Sequence, residues 1–92
     1  MRVAVRYLAQ LKQASGSAGD QLEVPSPCSI EELLAQVAER HGAALRDLLL
    51  DAAGQRQPTI LVFVGDVQVV PGESAQLREG DVVTLLSPMA GG

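Results

Sequence analysis

The last residues of the chain, Ser87, Pro88, Met89, Ala90, Gly91 and Gly92, carry its most legible chemistry. A carboxylate on two glycines is an acyl group on a slender support. With no Cβ, Gly91 and Gly92 can thread a narrow channel and take backbone angles closed to other residues. Pro88 restricts its own φ and biases Ser87 toward an extended conformation. Extended, residues 87–92 would reach about 20 Å. Such a tail would let a partner enzyme grip the body of the molecule while the Gly92 carboxylate enters its active site.

Other chemistry is sparse. His41 ends a helical stripe, where contact with the helix C-terminus is its ordinary role, and no second metal ligand accompanies it. Cys28 stands before a helix start, which can lower a thiol pKa, but no histidine is paired with it. Glu31 and Glu32 belong to a first helical turn, where acids are expected. Gly65-Asp66 and Gly80-Asp81 read as turns, since neither opens a helix as a phosphate loop must. The chain is therefore not expected to catalyse a reaction alone, to hold a metal or to bind a cofactor.

Composition narrows the classes further. Ninety-two residues, 47% of them hydrophobic, make one domain with a core of Val, Leu, Ile and Ala. A single cysteine excludes an internal disulfide framework and fits a reducing, cytoplasmic location. No basic leader with an apolar core is visible, and the apolar run 60–64 is too short to span a bilayer. Eleven acidic against seven basic residues, the latter scattered, argue against nucleic acid as a partner.

The elements that must position the tail follow from periodicity. Residues 1–11 alternate, with Val3, Val5 and Tyr7 on one side, as in a strand. Residues 14–20 are turn material, and 21–24 read as a second strand. Ser29 with Glu32 forms a capping-box signature, and Ile30, Leu33, Leu34, Val37, Ala38 and His41 make one helical stripe ending at Gly42. Residues 44–50 suit a short second helix. Strands are expected at 59–64, 67–70 and 82–86, with a two-residue turn at Gly65-Asp66. A hairpin, a crossing helix and further strands describe an α+β, ubiquitin-like β-grasp: about five strands in a mixed sheet on one main helix. The body is expected to occupy residues 1–86 and the extended tail residues 87–92.

One helix covers one face of a sheet. Val3, Val5, Tyr7, Ile60, Val62, Val64, Val83 and Leu85 share the parity of the covered face. The opposite parity should be polar, yet it holds Leu8, Leu61, Phe63, Val82 and Leu86, relieved by Arg6 and Thr84. An apolar patch of this kind marks a partner surface, unless the short helix or a second copy covers it. It begins where the tail begins, at Leu86.

The segment "LREGDVVTLLSPMAGG" (77–92) resembles the ending of the small sulfur-carrier proteins of the molybdopterin-synthase and thiamine type. The opening "VRYLAQLKQASG" (5–16) is more similar to the molybdopterin type. The resemblance implies that an ATP-dependent adenylating enzyme, similar to the activator of ubiquitin, converts the Gly92 carboxylate to an acyl-adenylate. Sulfur from a persulfide donor then displaces AMP and leaves a thiocarboxylate. The acceptor would be the molybdopterin synthase large subunit or another sulfur-accepting enzyme. By resemblance Leu8, Leu61 and Leu86 match the family's apolar docking positions; Phe63 shares their face by parity, Pro88, Met89 and Ala90 are expected to contact the partner, and Gly91 is expected to give Gly92 access to its active site. Ser87 stands where the family often has a proline. Alternatives are a carrier for cysteine, thiamine or tRNA thiolation, a ubiquitin-like modifier attached to lysines, and a plain binding module.

Overall fold

A computed structural model describes residues 1–73 and 75–87; Pro88, Met89, Ala90, Gly91 and Gly92 lie outside the described residues. The chain runs β1 (Arg2–Ala9), α1 (Gln10–Ser15), β2 (Gly19–Glu23), α2 (Ile30–His41), α3 (Ala43–Leu49), β3 (Leu61–Val64), β4 (Val67–Gln68) and β5 (Val82–Ser87). The strands form one sheet in the order β2-β1-β5-β3-β4. β1 and β5 are parallel at its centre, with Val5 opposite Val83, Tyr7 opposite Leu85 and Leu8 opposite Leu86. The remaining pairs are antiparallel. This is the expected mixed β-grasp sheet.

α2 forms where the sequence places it. The Ser29 hydroxyl accepts the Glu32 N–H at 3.1 Å, and the Glu32 carboxylate accepts the Ser29 N–H at 3.2 Å. These two bonds satisfy donors that the first helical turn leaves open. Ile30, Leu33, Leu34, Val37 and Ala38 are buried against the sheet, and Gly42 stops the helix at φ 86°. The underside of the sheet presents Val3, Val5, Tyr7, Val62, Val83 and Leu85 to this stripe, all essentially inaccessible. Burying each such aliphatic side chain is worth about 1.5–3 kcal/mol.

Several bounds differ from the sequence expectation, each for a local reason. β1 ends at Ala9, and residues 10–15 turn into a helix that drives Leu11 into the core. The period-two pattern hides this change, because Leu11 is apolar in either state. β2 starts at Gly19 rather than residue 21, since the 14–20 stretch includes two residues that pair with β1. β3 spans Leu61–Val64, two residues shorter at its start than expected, although Ile60 is still buried. β4 stops at Gln68, as Val70 enters a turn closed by Glu73. β5 extends one residue further, to Ser87, which pairs with Ala9.

Gly19 is where β2 meets β1 most tightly. A Cβ added there would lie 2.5 Å from the Val5 carbonyl oxygen, a backbone atom that cannot swing away. Gly19→Ala is therefore expected to lower stability by about 1–3 kcal/mol, read as a reduced urea midpoint. A midpoint equal to wild type would show that the two strands do not approach this closely.

Candidate functional site

The tail leaves the body from the top of β5, and the geometry there is defined up to Ser87. Ser87 is only 6% exposed and sits beside Ala9 across the parallel pair. Its Oγ donates to the Gln10 Oε1 at 3.4 Å. Ala9 takes φ 53°, the one non-glycine residue with positive φ among those described. That conformation is sparsely populated for alanine and costs of order 1 kcal/mol. The abrupt turn from β1 into α1 thus stands next to the last described residue of β5.

The outward sheet face gathers the apolar residues expected there. Leu61 is opposite Leu86 on one side, and Leu8 is opposite Leu86 on the other, so three leucines form a row across β1, β5 and β3. Phe63 lies opposite Thr84, one step along the same face. Leu8, Leu61, Phe63 and Leu86 are each partly exposed, and Val82 is 39% exposed. Directly opposed side chains stand about 4.5–5.5 Å apart, so these groups shield one another and still show a continuous apolar surface. The short helix does not cover it. α3 packs against α2 and α1, and its Leu45 and Leu49 belong to the core beneath the other face. The row ends at Leu86, one residue before Ser87.

Elsewhere the candidate groups are quiet. Cys28 is buried, and burial followed by the Glu32 charge raises its thiol pKa, which keeps it protonated and unreactive. Among the described residues no cluster of His, Cys, Asp and Glu could hold a metal. No helix of the described residues is long and apolar enough to cross a membrane.

His41 does more than face a helix end. Its Nε2 lies 2.6 Å from Asp20 Oδ2, and the Tyr7 hydroxyl donates to the same oxygen at 2.6 Å. Arg40 Nε stands 3.5 Å from Asp20 Oδ1. The rings of Tyr7 and His41 meet edge to face at 5.4 Å. This cluster ties β1, β2 and the end of α2 together through one carboxylate. A signal for it exists in the sequence: Tyr7 and His41 both fall on core-facing positions, where their polar atoms require a partner. Pattern alone does not say that Asp20 supplies it.

The chain is a ubiquitin-like β-grasp protein by fold. SAMP1 from Haloferax volcanii superposes with a TM-score of 0.86 at 22% identity, each chain covered completely. Urm1 from Trypanosoma brucei superposes with a TM-score of 0.77 at 26% identity over 99% of this chain and 95% of that one. Residues 5–92 match the ThiS family model, and the protein belongs to the ThiS family, among the ubiquitin-like sulfur carriers. The chain is also 27% identical over 92 residues to the molybdopterin synthase sulfur carrier subunit of Chlamydomonas reinhardtii, with both sequences covered in full.

The Asp20 cluster makes a pH prediction. Burial pushes the Asp20 carboxyl upward, but hydrogen bonds from Tyr7 and His41, with the charges of His41 and Arg40, outweigh it and hold the pKa below 3.8. A carboxyl depressed in the folded state contributes stability that is present above its ordinary value and lost as pH falls through the folded one. Asp20→Asn is expected to cost about 1–3 kcal/mol at neutral pH, with the difference from wild type shrinking in acid as the carboxyl becomes protonated. Urea unfolding at neutral and at acid pH checks this. A difference that stays constant with pH would remove the charged form of Asp20 from the account.

Proposed function

We propose that this protein carries sulfur on the C-terminal carboxylate of Gly92, as the small subunit of a molybdopterin synthase. The observation that carries the reading is the leucine row on the outward sheet face, which runs into the strand from which the tail departs. Membership of the ThiS family and the name of the curated relative support it. The body supplies docking through Leu8, Leu61, Phe63 and Leu86. The tail, through Pro88, Met89, Ala90 and Gly91, delivers Gly92 into a partner's active site.

The chemistry divides between proteins. A carboxylate resists nucleophiles because its negative charge is delocalised and its leaving group would be an oxide. Adenylation by an ATP-dependent, ubiquitin-activating-type enzyme replaces that oxygen's role with AMP, a good leaving group. The terminal sulfur of a persulfide donor attacks the carbonyl carbon and AMP departs, leaving an acyl disulfide. A second thiolate on the activating side then attacks the donor's sulfur, forming a disulfide with it and releasing the thiocarboxylate, and a thiol reductant later reduces that disulfide. The thiocarboxylate is a strong nucleophile near neutral pH, fit to attack a precursor bound by the large subunit. On this reading ATP belongs to the activating enzyme, and the carrier binds no cofactor of its own.

The test uses the full chain with its adenylating enzyme, ATP and a persulfide donor, followed by intact-mass measurement. One oxygen-to-sulfur exchange mapped to Gly92 is expected. An unchanged mass with a demonstrably active enzyme would overturn the proposal, and an isopeptide bond from Gly92 to a lysine would replace it with a protein-modifier role. Deleting Gly92 should abolish the exchange and leave the melting temperature within experimental error. A large fall in melting temperature would contradict the assignment of the tail to chemistry alone.

A further inference from the structure

The outer edge of β2 is open over two residues. In the antiparallel β1–β2 pair, the Val24 N–H donates to the Met1 carbonyl at 2.8 Å and the Tyr7 N–H to the Ala18 carbonyl at 3.0 Å. Val3 stands opposite Leu22 and Val5 opposite Asp20. The alternation of such a ladder turns the N–H and C=O of Asp20 and Leu22 toward β1, and those of Gly19, Gln21 and Glu23 away from it. No strand lies beyond β2 in the sheet. Gly19 is closed locally, since Ser17 Oγ accepts its N–H at 3.1 Å and donates to its carbonyl at 2.6 Å. Pro25, the next residue of the same parity, has no N–H to offer. Between these two stops Gln21 and Glu23 are exposed, and no hydrogen bond among the described residues reaches their outward backbone groups.

Beside this edge runs an open groove, lined by Gln21, Leu22 and Glu23 from β2 and by Gln36, Glu39 and Arg40 from α2. A segment added to the edge would continue the pleat and send every second side chain into the groove. Charge selects that side chain. Arg40 is already engaged, with its Nε 3.5 Å from Asp20 Oδ1. Glu39 is exposed and has no ion-pair partner among the described residues. Glu23, although paired with Arg2 at 3.0 Å, is itself exposed and borders the same groove. A cation is therefore attracted, and the net charge of −4 acts in the same sense. The same charges oppose a second copy, because edge-to-edge pairing of β2 with itself would bring two acidic grooves together.

We propose that the edge at Gln21 and Glu23 receives a short extended segment of another protein, rich in lysine or arginine. The segment adds a sixth strand through main-chain hydrogen bonds and directs a cationic side chain to Glu39. The surface uses neither the leucine row nor the tail, and it stands or falls independently of the sulfur-carrier reading. Ser17 and Pro25 confine the contact to two residues of β2, so binding is weak and reversible, on the order of millimolar.

The experiment is an NMR titration of the full chain with the peptide acetyl-Thr-Lys-Val-Lys-Thr-amide, up to about 10 mM. Saturable shifts are expected at the amides of Gln21, Glu23, Gln36 and Glu39, with slowed hydrogen exchange at Gln21 and Glu23. The same peptide with both lysines replaced by glutamate should bind at least about tenfold more weakly. Gln21→Pro removes one outward N–H and no bond to β1, a change an edge strand tolerates, and should abolish the shifts. Glu39 is exposed, so Glu39→Gln should keep the fold and weaken the lysine peptide about threefold, the value of one exposed ion pair. Absence of saturation, equal binding of the two peptides, or wild-type affinity in Glu39→Gln would overturn the proposal. So would concentration-dependent shifts of the same amides without peptide, which would give the edge to a second copy.

Discussion

Pairing of the first strand with the last, in parallel and at the centre of the sheet, is the constraint on which the other features rest. A parallel pair cannot be closed by a tight turn, so the chain must cross over between β1 and β5. Most of the molecule is that crossover. β2 hangs on the free side of β1, β3 on the free side of β5, and β4 on β3. The register sets Val5 against Val83 and Tyr7 against Leu85 on the underside, where α2 lays its apolar stripe. On the upper side the same register sets Leu8 beside Leu86, with Leu61 completing the row. Slipping this register by one residue would turn the core outward and bury the row. Core stability and the outward apolar face are therefore one specification, read from opposite sides of the sheet.

This coupling explains which features are legible in the sequence. The capping box at Ser29 and Glu32, the stripe from Ile30 to Ala38 and the alternation in β1 and β5 are local patterns with direct physical causes, and each appears in the fold. The outward leucines are legible because they violate the alternation a half-covered sheet should show. α1 is not, because Gln10–Ser15 is short and contributes only Leu11 to the core, which suits a continuing strand equally well. The polar groups are hardest to read. Tyr7 and His41 announce a need for partners, but only the three-dimensional approach of β2 to the end of α2 delivers Asp20. Arg56 sits in a loop whose composition gives no sign that its guanidinium is enclosed. The residues of the tail beyond Ser87 lie outside the described structure, and their role rests on chemistry and family membership.

The body and tail divide their duties by what each can bear. The body tolerates a surface apolar row because the opposite face supplies ample burial, and the polar cluster at Asp20 ties three elements together near the top of the sheet. Ala9, in its unfavourable φ, and Gln10, bonded to Ser87, brace the point where β5 ends. On the proposed carrier role, the apolar face beside the end of β5 would let a partner recognise the globule while the terminal residue reacts. On the same proposal the protein takes part in group transfer by presenting an acyl group, and another protein supplies the reaction centre.

The central claim is that docking resides in the leucine row and reaction in Gly92. Calorimetric binding to the cognate adenylating enzyme tests it with wild type, the double variant Leu61→Glu/Leu86→Glu and the Gly92 deletion. The account predicts that the double variant, while keeping its melting temperature, binds at least about tenfold more weakly, as loss of central apolar contacts should. The deletion should bind close to wild type and accept no sulfur. Wild-type affinity in the double variant, or loss of docking on deletion of Gly92, would contradict the account.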